Sequence, residues 1–159
     1  QVFNLPFTII RPSALYGERC VSRRVGQAFI ENALVGEDLT VNGDGTEGLD
    51  FTYINDLVQG IILSITKSDS INQIFNITFG AARSINQLAE IVMEKFSEIK
   101  LHHKTRDGLM PERGTLSIAK AQKLLGYNPQ HPVEKGFVQY INWYKNFAEN
   151  NPHLFKKKS

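Results

Sequence analysis

The stretch VNGDGTEGLDFTYINDL, from Val41 to Leu57, joins a β-branched strand pattern to the start of an amphipathic helix. Its three glycines and four acidic residues are typical of a tight turn, a phosphate-binding loop or a calcium loop. A calcium loop that starts at Asn42 would need glycine at its sixth position and glutamate at its twelfth. Those positions hold Glu47 and Tyr53, so the pattern argues against calcium and leaves the turn or the phosphate.

The bulk composition indicates one ordinary globular domain. A chain of 159 residues is long enough to bury a core, and its net charge of +2 is too small to indicate a nucleic-acid partner. A single cysteine, Cys20, fits a reducing compartment, so we expect a cytoplasmic location. No apolar run reaches the ~18 residues of a membrane span, and we expect no membrane partner.

Strand-like and helix-like patterns alternate along the chain, which predicts an α/β fold. The apolar run FTIIR at residues 7–11 reads as a buried strand almost at the first residue, which indicates either a processed chain or a chain that begins inside a larger fold. Further strands are predicted at 39–41, 50–54, 73–78 and 99–104. Helices are predicted at 22–35, 54–65, 85–98, 117–126 and 133–148.

Two arginines stand where a helix is predicted to begin. With Ser22 as the N-cap, Arg23 and Arg24 fall in the first turn, where the helix dipole disfavours cations. An anion held between them would explain this placement. The alternatives are that both side chains extend into water or pair with Glu18 or Glu31.

Other polar residues carry weaker signals. Arg113 lies in a PERG loop, where it could bind a phosphate in bidentate fashion or simply face water. His102 and His103 would face opposite sides of a strand, so they could not share a metal, and no metal site is predicted. The sequence contains no nucleophile motif, no P-loop and no G-x-G-x-x-G turn that opens a helix, and no catalytic residue is predicted.

A series of separate motifs occurs in a familiar order. They are RPSALYGER, FIENALVGEDLTVNGDG, LDFTYINDLVQGI, IFNIT, SINQLAEIV, MPERGTLSIAKAQKLLGYNP and VEKGFVQYINWY. From Phe7 to about Trp143, this order resembles the C-terminal half of the extended short-chain dehydrogenase/reductases. More narrowly, it resembles the NAD-dependent epimerase/dehydratase family, which acts on nucleotide sugars and includes UDP-glucose 4-epimerases.

The resemblance implies the C-terminal part of a Rossmann-like enzyme, mainly its small mixed α/β substrate-binding lobe at 1–151, followed by a basic tail at 152–159. The parent protein would be an NAD-dependent isomerase or dehydratase, often a homodimer. The family's N-terminal NAD-binding portion and its Tyr-x-x-x-Lys pair have no match, since Tyr140 and Tyr144 lie outside that motif. The chain alone is therefore predicted to be inactive. The alternative is a truncated, non-catalytic lobe that binds a nucleotide or a partner protein.

The resemblance also assigns substrate-binding positions. Arg113 matches an arginine of the family's P-x-R-G loop that contacts the nucleotide diphosphate, and Val41 matches a position beside the base. The loop after the RP motif implies sugar contacts at Ser13 and Ala14, and a possible cofactor contact at Pro12.

Two departures from the family pattern bear on the substrate. Many members carry an arginine for the diphosphate where this chain has Leu49, and an asparagine for the sugar where it has Ala14. Arg23 and Arg24 could supply the charge that Leu49 lacks. The resemblance also explains the opening stretch as the turn beside the nucleotide, with Asp50 and Asp56 capping and orienting the next elements.

Overall fold

The computed structural model describes residues 3–20, 22–106, 108 and 113–155. Within these residues, strands and helices alternate along the chain. The elements are β1 (Thr8–Arg11), β2 (Leu15–Tyr16), α1 (Val25–Leu34), β3 (Leu39–Asn42), β4 (Gly48–Leu49), β5 (Thr52–Tyr53), α2 (Ile54–Thr66), β6 (Gln73–Asn76), β7 (Arg83–Ser84), α3 (Ile85–Lys95), β8 (Leu101–Lys104), α4 (Ala119–Leu125) and α5 (Val133–Asn150).

The strands form short pairs between segments that are distant in sequence. β1 pairs with β6, β2 with β5 and β3 with β8, all in parallel, while β4 and β7 pair in antiparallel fashion. Parallel pairs need crossover connections, and here helices supply them. The predicted α/β class is therefore confirmed.

Two apolar clusters form the core. In the larger one, α1, α3 and α5 pack against one another through buried residues such as Phe29, Leu88 and Phe137. The smaller one lies between β6, α2 and α4, where Phe75 and Leu125 are almost fully buried.

A capping box begins α3, as the spacing of Ser84 and Gln87 in the sequence predicts. The Ser84 hydroxyl accepts a hydrogen bond from the Gln87 backbone N–H at 3.1 Å, and the Gln87 side chain accepts one from the Ser84 N–H at 2.8 Å. These two bonds satisfy donors that every helix N-terminus leaves open. The helix ends at Lys95, three residues before its predicted end.

The predicted start of α1 is wrong. The helix begins at Val25, with Arg24 as an N-cap residue in extended conformation and no side-chain cap. The Ser22 carbonyl instead accepts from the Arg24 N–H at 2.6 Å, which closes a tight turn ahead of the helix. Arg23 and Arg24 thus precede the first turn, and the dipole argument for an anion between them no longer holds.

The predicted capping roles of Asp50 and Asp56 are also wrong. Neither side chain caps a helix, because α2 begins after Tyr53 without a side-chain cap. Asp56 is buried, and its carboxylate accepts from the backbone N–H groups of Gln130 and His131 and contacts the His131 ring at 2.8 Å. This aspartate therefore ties α2 to the segment that leads into α5.

Helix α2 turns its apolar stripe outward. It approaches β6 through Gly60, where an added Cβ would lie 2.3 Å from the Ile77 side chain, so the helix packs closely on that face. Its predicted apolar residues on the other face stay exposed, with Ile62 at 54% and Ile65 at 78% of full exposure. Exposed apolar patches of this size mark contacts with further protein.

The β1–β6 pair also has an uncovered apolar face. Ile9 and Ile74 are 44% and 41% exposed, while their neighbours Ile10 and Phe75 point into the smaller core. Parallel sheets are normally covered on both faces. Ile9 and Ile74 on this face and Ile62 and Ile65 on α2 are named together the exposed apolar surface.

We predict that the 159-residue chain by itself self-associates through the exposed apolar surface. The double variant Ile62→Lys, Ile65→Lys should stay folded and become monomeric, because both side chains are exposed. Sedimentation velocity over a range of protein concentrations checks this. The matched control is Gln139→Lys, Asn142→Lys, which adds the same charge at exposed polar positions of α5 and should still associate. A monomeric parent chain would contradict the prediction.

Candidate functional site

A cavity of about 300 Å³ opens between the start of α1 and the turn before α2. Its walls come from β2, the first turn of α1, β3, β4 and one side each of α3 and α5. Most of the lining side chains are apolar, and the charged ones are Arg24, Arg113 and Glu47. A mainly apolar cavity with a few converging polar groups is the usual form of a small-molecule site.

The structure brings four of the six predicted substrate-binding residues to this cavity. Ala14, Arg24, Val41 and Arg113 all line it, although they are spread over a hundred residues of sequence. Val41 is 3% exposed, so its side chain serves both as core and as cavity wall. Ser13, Arg23 and Pro12, the other predicted contacts, are not among the lining residues.

Arg23 lies on the other side of α1. Its guanidinium donates to the Glu31 carboxylate at 2.8 Å and to the Asn32 side chain at 3.2 Å. This is the pairing with Glu31 that the sequence left open as an alternative. Adjacent arginines therefore differ in role: Arg24 faces the cavity, and Arg23 is bound to its own helix.

Leu49 forms part of the cavity wall at the position where the family pattern has an arginine. It is 8% exposed and pairs with Arg83 across β4 and β7. The Arg83 guanidinium does not replace the missing cation in the cavity, because it donates to Glu134 at 2.6 Å and is not among the lining residues. The cations of the wall are thus Arg24 and Arg113.

The segment that carries Arg113 is held by the buried Asp50. This carboxylate accepts from the Thr78 hydroxyl at 2.9 Å and from the backbone N–H groups of Gly80 and Leu116, both at 3.0 Å. Asp50 follows Leu49 directly, so one carboxylate fixes the cavity wall and the loop end beside Arg113. Residues 107 and 109–112 of that predicted loop lie outside the described residues.

Close packing beneath the cavity depends on Gly26 in α1. A Cβ added there would lie 2.9 Å from the Phe137 ring, so α1 and α5 could not keep their spacing with a larger residue. The sequence offered a signal here, because Gly26 lies inside a predicted helix. A glycine at such a position either lowers the stability of the helix or allows a close contact with a neighbouring element. The structure shows the close contact.

Two buried tyrosines line the cavity without acting as bases. Burial raises the pKa of Tyr16 and of Tyr140 well above the ordinary value of a phenol, and the charge of Asp56 raises that of Tyr16 further. Both hydroxyls are therefore protonated at neutral pH. The Tyr16 hydroxyl has no hydrogen-bond partner within the described residues.

The described residues contain no group of three or more His, Cys, Asp or Glu side chains placed to hold a metal ion. His102 and His103 point to different partners, Asp38 and Asn86. In the same part of the chain, no helix has both the length and the apolar character needed to cross a membrane.

Comparison with known proteins gives a consistent result. The model of the NAD dependent epimerase/dehydratase family matches residues 1–78. The uncharacterized UDP-glucose epimerase YtcB of Bacillus subtilis is 31% identical over 89% of this chain and 45% of its own length. UDP-glucuronic acid decarboxylase 1 of Xenopus tropicalis is 32% identical over 85% of this chain and 32% of its own length.

A solved structure has the same fold. UDP-glucuronic acid 4-epimerase from Bacillus cereus, in complex with UDP-glucuronic acid and NAD, superposes with a TM-score of 0.84 at 25% identity. The match covers 91% of this chain and 47% of that one. The chain is thus a member of the NAD-dependent epimerase/dehydratase family, as predicted. It spans about half the length of such relatives or less.

We predict that Asp50→Asn lowers the free energy of unfolding by about 3 kcal/mol, because it leaves buried donors without a charged acceptor. Urea denaturation measures the change. The control is Asp69→Asn, which removes the same charge at an exposed position and should have little effect. Equal stability of the two variants would show that the Asp50 contacts contribute nothing.

Proposed function

We propose that the chain is the nucleotide-sugar-binding portion of an NAD-dependent epimerase, dehydratase or decarboxylase. The observation that carries the proposal is the meeting of Arg24 and Arg113 at one apolar cavity beside Val41. Two exposed cations at the mouth of an apolar cavity suit a ligand with a charged diphosphate and a flat base. The B. cereus structure, whose complex holds such a ligand, supports the assignment.

Each part of the cavity has a proposed role. Arg113 and Arg24 bind the diphosphate through charge-assisted hydrogen bonds, and Val41 packs against the base. The apolar wall at Leu49 keeps water from that side, which strengthens the charge interactions. Held in this way, the sugar is fixed in position for the reacting groups, and fixing a reactant lowers the barrier of the step that follows.

NAD supplies hydride-transfer chemistry when it is bound. Pro12, the predicted cofactor contact, is exposed and lies outside the lining of the substrate cavity. No residue of this chain is therefore assigned to the cofactor. We propose that the cofactor and the proton-transferring groups belong to further protein that covers the exposed apolar surface.

The affinity for UDP-glucose tests the proposal. We expect Arg113→Ala to weaken binding by about tenfold to a hundredfold, since a charged hydrogen bond contributes about 1.5–3 kcal/mol. Calorimetric titration of the full protein gives the dissociation constant. Arg23→Ala is the matched control, because the same side chain is removed outside the cavity, and it should bind normally. Equal affinities of the two variants would overturn the assignment of Arg113.

We also propose that Arg24 supplies the positive charge that an arginine at position 49 would supply in other family members. Arg24→Ala should weaken UDP-glucose binding, and Leu49→Arg in that background should recover at least part of the loss, because both side chains line the same cavity. Uridine, which has no phosphate, should bind all variants alike. If the double variant binds UDP-glucose no more tightly than Arg24→Ala, the phosphates bind elsewhere.

The chain alone should carry no redox activity. We expect neither NADH nor an altered sugar when the 159-residue chain is incubated with NAD and UDP-glucose, because its sequence has no Tyr-x-x-x-Lys pair and no glycine-rich turn that opens a helix. Absorbance of NADH and chromatography of the sugar nucleotides check this. Turnover by the chain would contradict the proposal that this chain binds the substrate and that further protein supplies the cofactor and the proton-transferring groups. Binding without turnover, also in the full protein, would favour the truncated, non-catalytic lobe.

A further inference from the structure

Three of the four acidic residues between Val41 and Leu57 have a role in holding the fold together. Asp50 and Asp56 are buried and accept hydrogen bonds from backbone N–H groups of distant segments. Asp44 accepts from the backbone N–H and the hydroxyl of Thr46, at 3.0 and 2.7 Å, and so stabilises the turn after β3. The fourth acidic residue differs from these three in its surroundings.

Glu47 lies in the wall of the substrate cavity. Its side chain is 18% exposed, and its carboxylate lies 3.8 Å from the Arg106 guanidinium, which is longer than a hydrogen bond. A carboxylate has two oxygens that only accept, and a partly buried one is normally supplied with donors. It also repels the diphosphate of the proposed ligand, and hydrogen bonds donated by the ligand would offset that repulsion. The position therefore suits a ligand hydroxyl or N–H group.

The backbone at Glu47 is held by the start of α3. The Glu47 carbonyl accepts from the Ile85 N–H at 3.3 Å, which extends the β4–β7 pairing by one residue. Side chains two residues apart in an extended segment point to the same face. Glu47 and Leu49 are related in this way, and both line the cavity.

Asn86, the second residue of α3, fixes the turn that precedes Glu47. Its backbone N–H donates to the Gly45 carbonyl at 3.1 Å, and its side-chain nitrogen donates to the Asp44 carbonyl at 2.8 Å. The contact is close, because a Cβ added at Gly45 would lie 1.9 Å from the Asn86 side-chain oxygen. These contacts determine the course of the turn, so Glu47 is held at a defined place in the cavity wall.

The order of residues along this wall indicates which part of the ligand lies at Glu47. Val41 is proposed to pack against the base, and Leu49 lies where the family pattern has a diphosphate contact. Glu47 lies between them in the chain, and all three line the cavity. In a nucleoside diphosphate, the ribose connects the base to the phosphates. Its hydroxyls are donors that an acidic side chain can accept, as in dinucleotide-binding sites.

We propose that Glu47 is a specificity-determining residue whose carboxylate accepts hydrogen bonds from the ribose hydroxyls of the bound nucleotide. The cavity then selects a ribonucleoside diphosphate over its 2′-deoxy analogue, because the analogue leaves a partly buried carboxylate short of a donor. This inference rests on the proposed function and adds the class of nucleotide to it.

The ratio of two dissociation constants tests the inference. UDP and 2′-deoxy-UDP are titrated calorimetrically into the full protein. We expect UDP to bind at least tenfold more tightly, since a hydrogen bond to a charged group is among the stronger ones. Glu47→Ala should weaken UDP, leave 2′-deoxy-UDP bound as tightly as before or more tightly, and bring the ratio close to one. General damage to the cavity would instead weaken both ligands and keep the ratio.

The control is Glu90→Ala, which removes a carboxylate at an exposed position of α3 outside the cavity lining and should keep the full ratio. Equal binding of UDP and 2′-deoxy-UDP by the unaltered protein, or an unchanged ratio in Glu47→Ala, would overturn the role of Glu47 and leave the proposed function standing. If the unaltered protein binds neither nucleotide, the proposed function itself is refuted, and this inference with it.

Discussion

The carboxylate of Asp50 is the contact on which the site depends. It is fully buried, and its three donors come from two segments far from it in sequence, Thr78 and Gly80 in one and Leu116 in the other. A charged acceptor with several donors is among the stronger polar arrangements in a protein interior. Without it, the wall at Leu49 and the chain leading back to Arg113 would have no common anchor.

The cavity above this anchor is apolar in its walls and cationic at its mouth. Its packing is tight where α1 crosses α5, because Gly26 lets the Phe137 ring approach the helix backbone. Its charge is sparse, with Arg24 and Arg113 opposed by Glu47, and Glu47 lies 3.8 Å from Arg106. Such an arrangement gives binding and orientation, and the chemistry proposed for the whole protein requires groups that the described residues do not offer.

Local signals made much of the fold predictable. The α3 capping box and the Gly126 stop of α4 involve neighbours in sequence, and both are present in the structure. The sequence did not predict which face of α2 is exposed. The spacing of its apolar residues indicates a helix but does not show which face packs against the core. Gly60 and the buried Asp56 decide that side through contacts with Ile77 and His131, which lie far along the chain.

The site was predictable where a motif fixed the position, as for Arg113 and Val41. Arg23 and Arg24 were inseparable in the sequence, and a difference of three residues in the helix start placed them on opposite sides of α1. The capping roles predicted for Asp50 and Asp56 were wrong for a related reason, because the hydrogen-bond donors to both carboxylates come from segments distant in sequence. A cavity residue such as Tyr140 carried no functional signal in the sequence, because its role comes from packing between helices.

The most direct test of the central claim is a crystal structure of the full protein with UDP-glucose bound. The account predicts the diphosphate between the guanidinium groups of Arg24 and Arg113, with the base against Val41 and the sugar directed away from this chain toward the protein that covers its exposed apolar surface. A diphosphate bound in the separate groove that Arg23 and Trp143 line, with the cavity left to solvent, would contradict it.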